Sequence, residues 1–156
     1  MKKNEYYSKK LFATKLKLAY EIASPRIQQY LDEEIKFVMS HIKSTDTVLE
    51  IGCGYGRVLA RLAKKTQSVI GIDTAKTSLK HAKHFLANYN NITLYHQTAR
   101  NILLRSDSID VVVAIQNPIS AFKIDPEVLV NEALKVTKKG GKILISSYSA
   151  KNGRAF

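Results

Sequence analysis

Val48-Leu49-Glu50-Ile51-Gly52-Cys53-Gly54-Tyr55-Gly56-Arg57 decides how the rest of this chain is read. Val48 to Ile51 is apolar apart from one carboxylate and reads as a buried strand. Three glycines at alternate positions then make a turn, and Gly56 to Ala63 reads as a helix with Val58, Leu59, Leu62 and Ala63 on its buried face. A strand, a turn of small residues and a helix start together present backbone N–H groups to a ligand. Glycine suits the turn because it accepts positive φ and leaves the backbone bare where a ligand approaches.

The glycine spacing discriminates between ligands. Dinucleotide-binding turns follow G-x-G-x-x-G and seat a pyrophosphate. Here the pattern is G-x-G-x-G, and Glu50 stands two residues before Gly52. A carboxylate at that place repels a pyrophosphate and suits a ligand carrying an ammonium and a sulfonium. The stretch resembles the first motif, (Asp/Glu)-x-Gly-x-Gly-x-Gly, of the class I S-adenosylmethionine-dependent methyltransferases. A tight strand–helix turn with no ligand is the plainer alternative. Three features downstream weigh against it.

Val69-Ile70-Gly71-Ile72 reads as a second buried strand ending at Asp73. An acidic residue about 20 positions past the glycine turn is placed to accept hydrogen bonds from ribose hydroxyls, although Asp73 could instead cap the next helix. The resemblance implies that Asp73, with Thr74 beside it, holds the ribose of the methyl donor. After a third strand, Ile92 to His96, comes Gln97-Thr98-Ala99-Arg100. The family often has Gly-Asp-Ala here, its aspartate accepting from the adenine amino group. Thr98 replaces that aspartate with a weaker acceptor. The backbone N–H of Ala99 or Arg100 remains a partner for the ring. Asp110 opens the fourth strand, Val111 to Ile115, which ends at Gln116-Asn117-Pro118. Ligands of open α/β sheets lie off the carboxyl ends of strands, so Gln116 and Asn117 fall near the transferred methyl group. Asn117-Pro118 is faintly similar to the Asn-Pro-Pro-(Tyr/Phe) motif of nucleic-acid amine methyltransferases, without its second proline or its aromatic residue.

The remaining elements follow from periodicity and punctuation. Tyr6 to Ala23 has helical spacing and, as residues 1–24, forms a candidate lid or extension. Tyr6, Tyr7, Tyr20 and Tyr30 are candidates to touch a ligand, although tyrosines at helical spacing are more often edge-of-core residues. Ser24-Pro25 starts a helix expected to run to about Ile42 on the stripe Ile27, Leu31, Ile35, Val38 and Ile42. Thr77 to Tyr89 is a further helix, and its His81/His84 pair has no third ligand nearby, so no metal site is expected. Asp125-Pro126 starts the last helix. Lys138-Lys139-Gly140-Gly141 is expected to end it with glycine at the C-cap, and Lys142 to Tyr148 to form a fifth strand. The family usually has Lys-Pro-Gly-Gly at that turn.

Strands alternating with helices predict an α/β fold. It is a three-layer, doubly wound, mainly parallel sheet of order 3-2-1-4-5, with residues 25–156 as the S-adenosylmethionine-binding domain. The family's fold carries two more strands beside the fifth. Their absence implies either a truncated form or a naturally short one, with the apolar edge of the fifth strand open to self-association.

Composition adds bounds. Hydrophobic content of 45% and charged content of 24% are those of an ordinary globular domain. No run of about 18 apolar residues suggests a membrane span. No apolar segment follows Met1-Lys2-Lys3, so no secretory signal is expected. The single cysteine fits a reducing cytoplasm. Cys53 reads as a small side chain filling a tight place rather than a nucleophile. The net charge of +12 suits a nucleic-acid partner or simply a lysine-rich solvated surface.

The resemblance therefore implies S-adenosylmethionine as cofactor. Gly52 and Gly54, with Cys53 between them, would approach its methionine part, and Glu50 would orient the turn or face the amino group indirectly. Gln116 would lie near the methyl group, Asp73 and Thr74 would hold the ribose, and Thr98, Ala99 and Arg100 the adenine. Asn117 would orient the acceptor. The acceptor is expected to be a small molecule, with nucleic acid or protein as alternatives. A donor-binding module without catalysis is a second reading. A nicotinamide-dependent oxidoreductase is a third, disfavoured by the glycine spacing and Glu50.

Overall fold

The computed structural model of the chain describes residues 13–147. Two helices come first, α1 (Ala13–Glu21) and α2 (Pro25–Ser40). There follow β1 (Thr47–Ile51), α3 (Arg57–Leu62), β2 (Ser68–Asp73), α4 (Lys76–Phe85) and β3 (Ile92–His96). The chain then forms β4 (Ile109–Ala114), α5 (Pro118–Phe122), α6 (Pro126–Val136) and β5 (Thr137–Ile145). The five strands make one parallel sheet of order β3-β2-β1-β4-β5, as the alternation of strands and helices predicts.

The sheet is covered on both faces because its inner strands are apolar at successive positions. One face packs Val48, Val69, Val111 and Val113 against α2, α3 and α4 through Ile35, Val38, Leu59, Leu62, Leu79 and Ala82. The other packs Leu49, Ile51, Val112 and Ala114 against α6 through Leu129, Ala133 and Val136. Alternate residues of β1 and β4 thus feed opposite layers, as strand geometry requires. The central pair β1 and β4 is the most deeply buried, and its carboxyl ends carry the candidate site.

Several local expectations shift. Ser24 stands at the N-cap of α2 with Pro25 behind it but makes no side-chain capping bond, whereas the Asp125 carboxylate accepts from the Glu127 N–H at 2.8 Å as a cap should. Residues 138–141 do not end a helix through a glycine cap. α6 stops at Val136, and Thr137 already pairs with Ile109 of β4. The next pair is Val111 with Lys142, so Asp110 alone faces residues 138–141, which bulge out of the ladder. Gly140, at φ +79°, makes the bulge possible, and a Cβ on Gly141 would lie 2.8 Å from the Asp110 carbonyl oxygen. Asp110 secures the bulge by accepting from Lys138 Nζ at 2.8 Å and from the Thr47 N–H at 2.9 Å. The fifth strand therefore begins earlier than expected. Tyr148 lies outside the described residues, as do Tyr6 and Tyr7. The short helix α5 has no signal in the sequence pattern.

Candidate functional site

The loop between β1 and α3 is built by left-handed glycines: Gly52, Gly54 and Gly56 have φ of +79°, +54° and +92°. The amides of Gly52 and Cys53 donate to the Ile72 carbonyl, tying the loop to β2. Two of the glycines also make room for the protein itself. A Cβ on Gly52 would lie 2.5 Å from Cζ of Phe122, and one on Gly56 would lie 2.5 Å from Cδ1 of Leu86. At these two positions the missing side chain serves close packing by α5 and by the end of α4. Cys53 is buried with its Sγ against Gly71, and burial pushes its thiol well above the ordinary range, so it fills space as expected.

Asp73 clasps the loop. One carboxylate oxygen accepts from the Gly54 N–H at 2.8 Å and the other from the Ala75 N–H at 2.7 Å. Burial raises its pKa, and the amides of Ala75, Gly54 and Thr74 oppose the rise. Of the roughly four acceptor sites of a carboxylate, these amides leave capacity for a further donor. Asp73 is not the helix cap itself, because Ala75 holds that position. Beside it, His96 Nε2 lies 3.0 Å from the Thr74 carbonyl oxygen. On the far side of β2, the Thr98 hydroxyl accepts from the Arg100 N–H at 3.2 Å, so that amide is already engaged. The Arg100 side chain is exposed and donates to the Lys123 carbonyl at 2.8 Å. Ala99 is buried against the sheet.

At the mouth of β1 and β4 the polar groups are not all satisfied. Tyr20, Glu50, Gly52, Arg57 and Gln116 help to line a cleft of about 40 Å³. Glu50 is only 5% exposed. Burial pushes its carboxyl up to about 8, with the Arg57 charge and a hydrogen bond from the Leu59 backbone acting in the opposite direction. Its Oε2 has no hydrogen-bond partner, and neither do the buried Nε and Nη2 of Arg57 or Nε2 of Gln116. Each such atom costs about 1–3 kcal/mol if left unpaired, so folded chains rarely gather four in one place without a ligand. Gln116 and Asn117 hold left-handed backbone at φ +66° and +62°, and the Gln116 N–H donates to Ser146 Oγ at 2.9 Å. Among the described residues no group of three acidic, histidine or cysteine side chains is arranged to hold a metal, and His81 and His84 are both exposed.

The comparisons with known proteins give the family. A family model described as a methyltransferase domain matches residues 48–141, more than half of the chain. The chain belongs to the class I methyltransferase-domain family. Its cofactor is S-adenosylmethionine. A probable S-adenosylmethionine-dependent methyltransferase of Mycolicibacterium smegmatis is 29% identical over 109 residues, covering 70% of this chain and 40% of that protein. A ubiquinone biosynthesis O-methyltransferase of Idiomarina loihiensis is 34% identical over 103 residues, covering 64% of this chain and 41% of its own length. Among solved structures, phosphoethanolamine N-methyltransferase 1 of Haemonchus contortus, bound to phosphoethanolamine and S-adenosylhomocysteine, superposes with a TM-score of 0.72. It is 20% identical, with 97% of this chain and 32% of that one covered. The chain spans less than half the length of the curated relatives it matches.

The methyltransferase-domain loop of this chain fits such a donor on its own chemistry. The unpaired donors of Arg57 and Gln116 suit a carboxylate, and the unpaired acceptor of Glu50 suits an ammonium. Sequence reasoning placed Glu50, Gly52, Cys53, Gly54, Asp73 and Gln116 in one region, and the structure gathers them there. It keeps Arg100 at the margin, on the surface. The sequence pattern assigns no role at the site to Arg57 or Phe122. The signal for Arg57 was its position directly after the third glycine, where a long side chain can fold back over the turn.

Proposed function

We propose that this domain transfers the methyl group of S-adenosylmethionine to a small-molecule acceptor. The observation that carries the reading is the set of unpaired buried atoms of Glu50, Arg57 and Gln116 beside a left-handed glycine loop. When bound, the donor supplies a methyl group made electrophilic by a sulfonium. The chain supplies proximity and alignment. Asp73, already fixed by two backbone amides, holds the ribose diol, with Thr74 beside it. Thr98 and Ala99 flank the adenine. Glu50 and Gln116 address the amino-acid end, with Gly52, Cys53 and Gly54 shaping the wall behind it. Asn117 orients the acceptor at the end of β4.

Two matched proteins named for ubiquinone biosynthesis and for phosphoethanolamine support a small-molecule acceptor. The N-terminal segment serves as a lid through its described helix α1, a reading supported by the Tyr20 hydroxyl, which donates to Gln116 Oε1 at 2.7 Å. Among the described residues β5 pairs with β4 alone, which supports association of two copies along that strand. Light scattering should then report a dimer.

Titration with S-adenosylhomocysteine and with NAD tests the donor. Tight binding of the first and none of the second is expected, and the reverse would make the chain an oxidoreductase. Incubation with labelled donor and fractionated extract, followed by mass measurement, should find a small product heavier by one methylene. Label found only in nucleic acid would replace the acceptor class, and binding without any transfer would leave a donor-binding module.

A further inference from the structure

Gln116 and Arg57 reach the cleft from different elements, and one residue of α1 touches both. The Tyr20 hydroxyl donates to Gln116 Oε1 at 2.7 Å. The Tyr20 ring lies 4.5 Å from the centre of the Arg57 guanidinium, within the range of a cation–π contact. The ring is itself braced by Tyr55 of the glycine loop, with centroids 6.4 Å apart. Tyr20 also precedes residues 48–141, so it lies outside the stretch shared with the methyltransferase-domain family.

An amide side chain has two ends of opposite character. With Oε1 held by Tyr20, the end of Gln116 left unpaired and buried is Nε2, a donor. The reverse orientation would aim a carbonyl oxygen into a cleft that already holds the Glu50 carboxyl and must receive a carboxylate. Meanwhile the ring over Arg57 fixes the guanidinium plane, leaving its unpaired Nε and Nη2 as a fork for two oxygens. We propose that Tyr20 is a positioning residue: by setting the Gln116 amide and the Arg57 guanidinium, it equips the cleft to take the carboxylate at the amino-acid end of the donor. The lid helix is then part of the binding site and not only a cover. This inference rests on the donor reading above.

Two ligands and two variants test it by calorimetry. S-adenosylhomocysteine carries the amino-acid end, whereas 5′-methylthioadenosine has the same nucleoside without it. Tyr20→Phe keeps the ring and loses the hydroxyl, and Tyr20→Leu loses both. Wild type should prefer S-adenosylhomocysteine. Tyr20→Phe should weaken that ligand roughly threefold to tenfold, and Tyr20→Leu by more than about tenfold, the scale of one to two lost polar contacts. Binding of methylthioadenosine should stay unchanged in both variants, and so should the far-ultraviolet spectrum. If both ligands weaken in equal proportion, or neither does, Tyr20 only supports the fold and the assignment is wrong. A wild type that binds neither ligand overturns the donor reading itself and this assignment with it.

Discussion

Two loops leave the carboxyl ends of neighbouring strands and meet one backbone demand in different ways. After β1 the left-handed positions are all glycine: Gly52, Gly54 and Gly56. After β4 they are Gln116 and Asn117, with Lys123 at the far end of α5, and none is glycine. Left-handed backbone costs a residue with a Cβ about 1–2 kcal/mol and costs glycine almost nothing. The first loop needs bare backbone, because Phe122 and Leu86 press where side chains would stand. The second loop retains its side chains and bears the strain, and one of them ends in an unpaired buried amide nitrogen. Strain held at a cleft lined by unpaired polar atoms marks residues kept for what they touch.

The largest effect should come from giving the first loop a side chain. Gly52→Val adds a branched Cβ at φ +79°, 2.5 Å from the Phe122 ring. Overpacking and backbone strain together should cost on the order of 3–5 kcal/mol and abolish donor binding. Chemical denaturation measures the cost. In a Phe122→Ala background Gly52→Ala should cost less than in the wild-type chain, leaving only the backbone strain. If Gly52→Ala costs the same in both backgrounds, the close approach of Phe122 is not what demands glycine. Gly54→Val should also abolish donor binding, and normal binding there would make the loop purely structural.

The next effect concerns the charge at the root of the first loop. The folded chain holds the Glu50 carboxyl up to about 8, against an ordinary value of 4.5. Below the lower value both folded and unfolded chains are protonated, and this group sets no penalty. Between the two values the folded chain keeps a proton that the unfolded chain has lost, so stability falls as pH rises. Above about 8 both are ionised and the loss is complete. Without donor, denaturation should show a decline between pH 5 and pH 8 that Glu50→Gln removes, gaining roughly 2–4 kcal/mol at the upper end. An equal decline in the variant would mean that Glu50 is ionised throughout. With donor present, Glu50→Gln should bind more weakly despite its greater stability, because a neutral amide no longer faces the ammonium.

Asp73 comes third. Asp73→Ala should weaken donor binding by roughly 1.5–3 kcal/mol, the scale of hydrogen bonds to a charged group. Unchanged affinity in a folded variant would leave Asp73 with only its structural clasp on Gly54 and Ala75.

The two loops also differ in how far they could be read in the sequence. Glycines at alternate positions announce left-handed turns, and the buried runs around them give the strands, their parallel order and the acidic residue ending β2. Asn117 only permits positive φ and Gln116 gives no sign of it, because the cause is tertiary: the Ser146 and Tyr20 bonds that hold Gln116 come from 30 and 96 residues away. The five residues of α5 are too few to display a helical period. The bulge at 138–141 is hidden in the sequence for a related reason. Gly140-Gly141 after two lysines carries the composition of a helix cap, and only pairing with β4 turns it into part of a strand. Arg57 reads in the sequence as an ordinary cation and Tyr20 as one of several candidate lid tyrosines, and their contact with each other depends on α1 lying over the loop.

The smallest effect should come from giving the second loop the glycines of the first. Lys123 has φ +50°, and its backbone carbonyl accepts from Arg100. Lys123→Gly should relieve backbone strain worth about 0.5–1 kcal/mol, less than the full relief because glycine also gains freedom in the unfolded chain. Asn117→Gly should gain less, because asparagine tolerates this conformation best among residues with a Cβ. The two substitutions should part company in function. Lys123→Gly should leave both donor binding and transfer unaltered. Asn117→Gly should leave donor binding alone but lower the rate of transfer, if the side chain orients the acceptor. Unaltered transfer in a stabilised Asn117→Gly would show that strain at 117 serves only to aim Gln116, one residue earlier on the same turn.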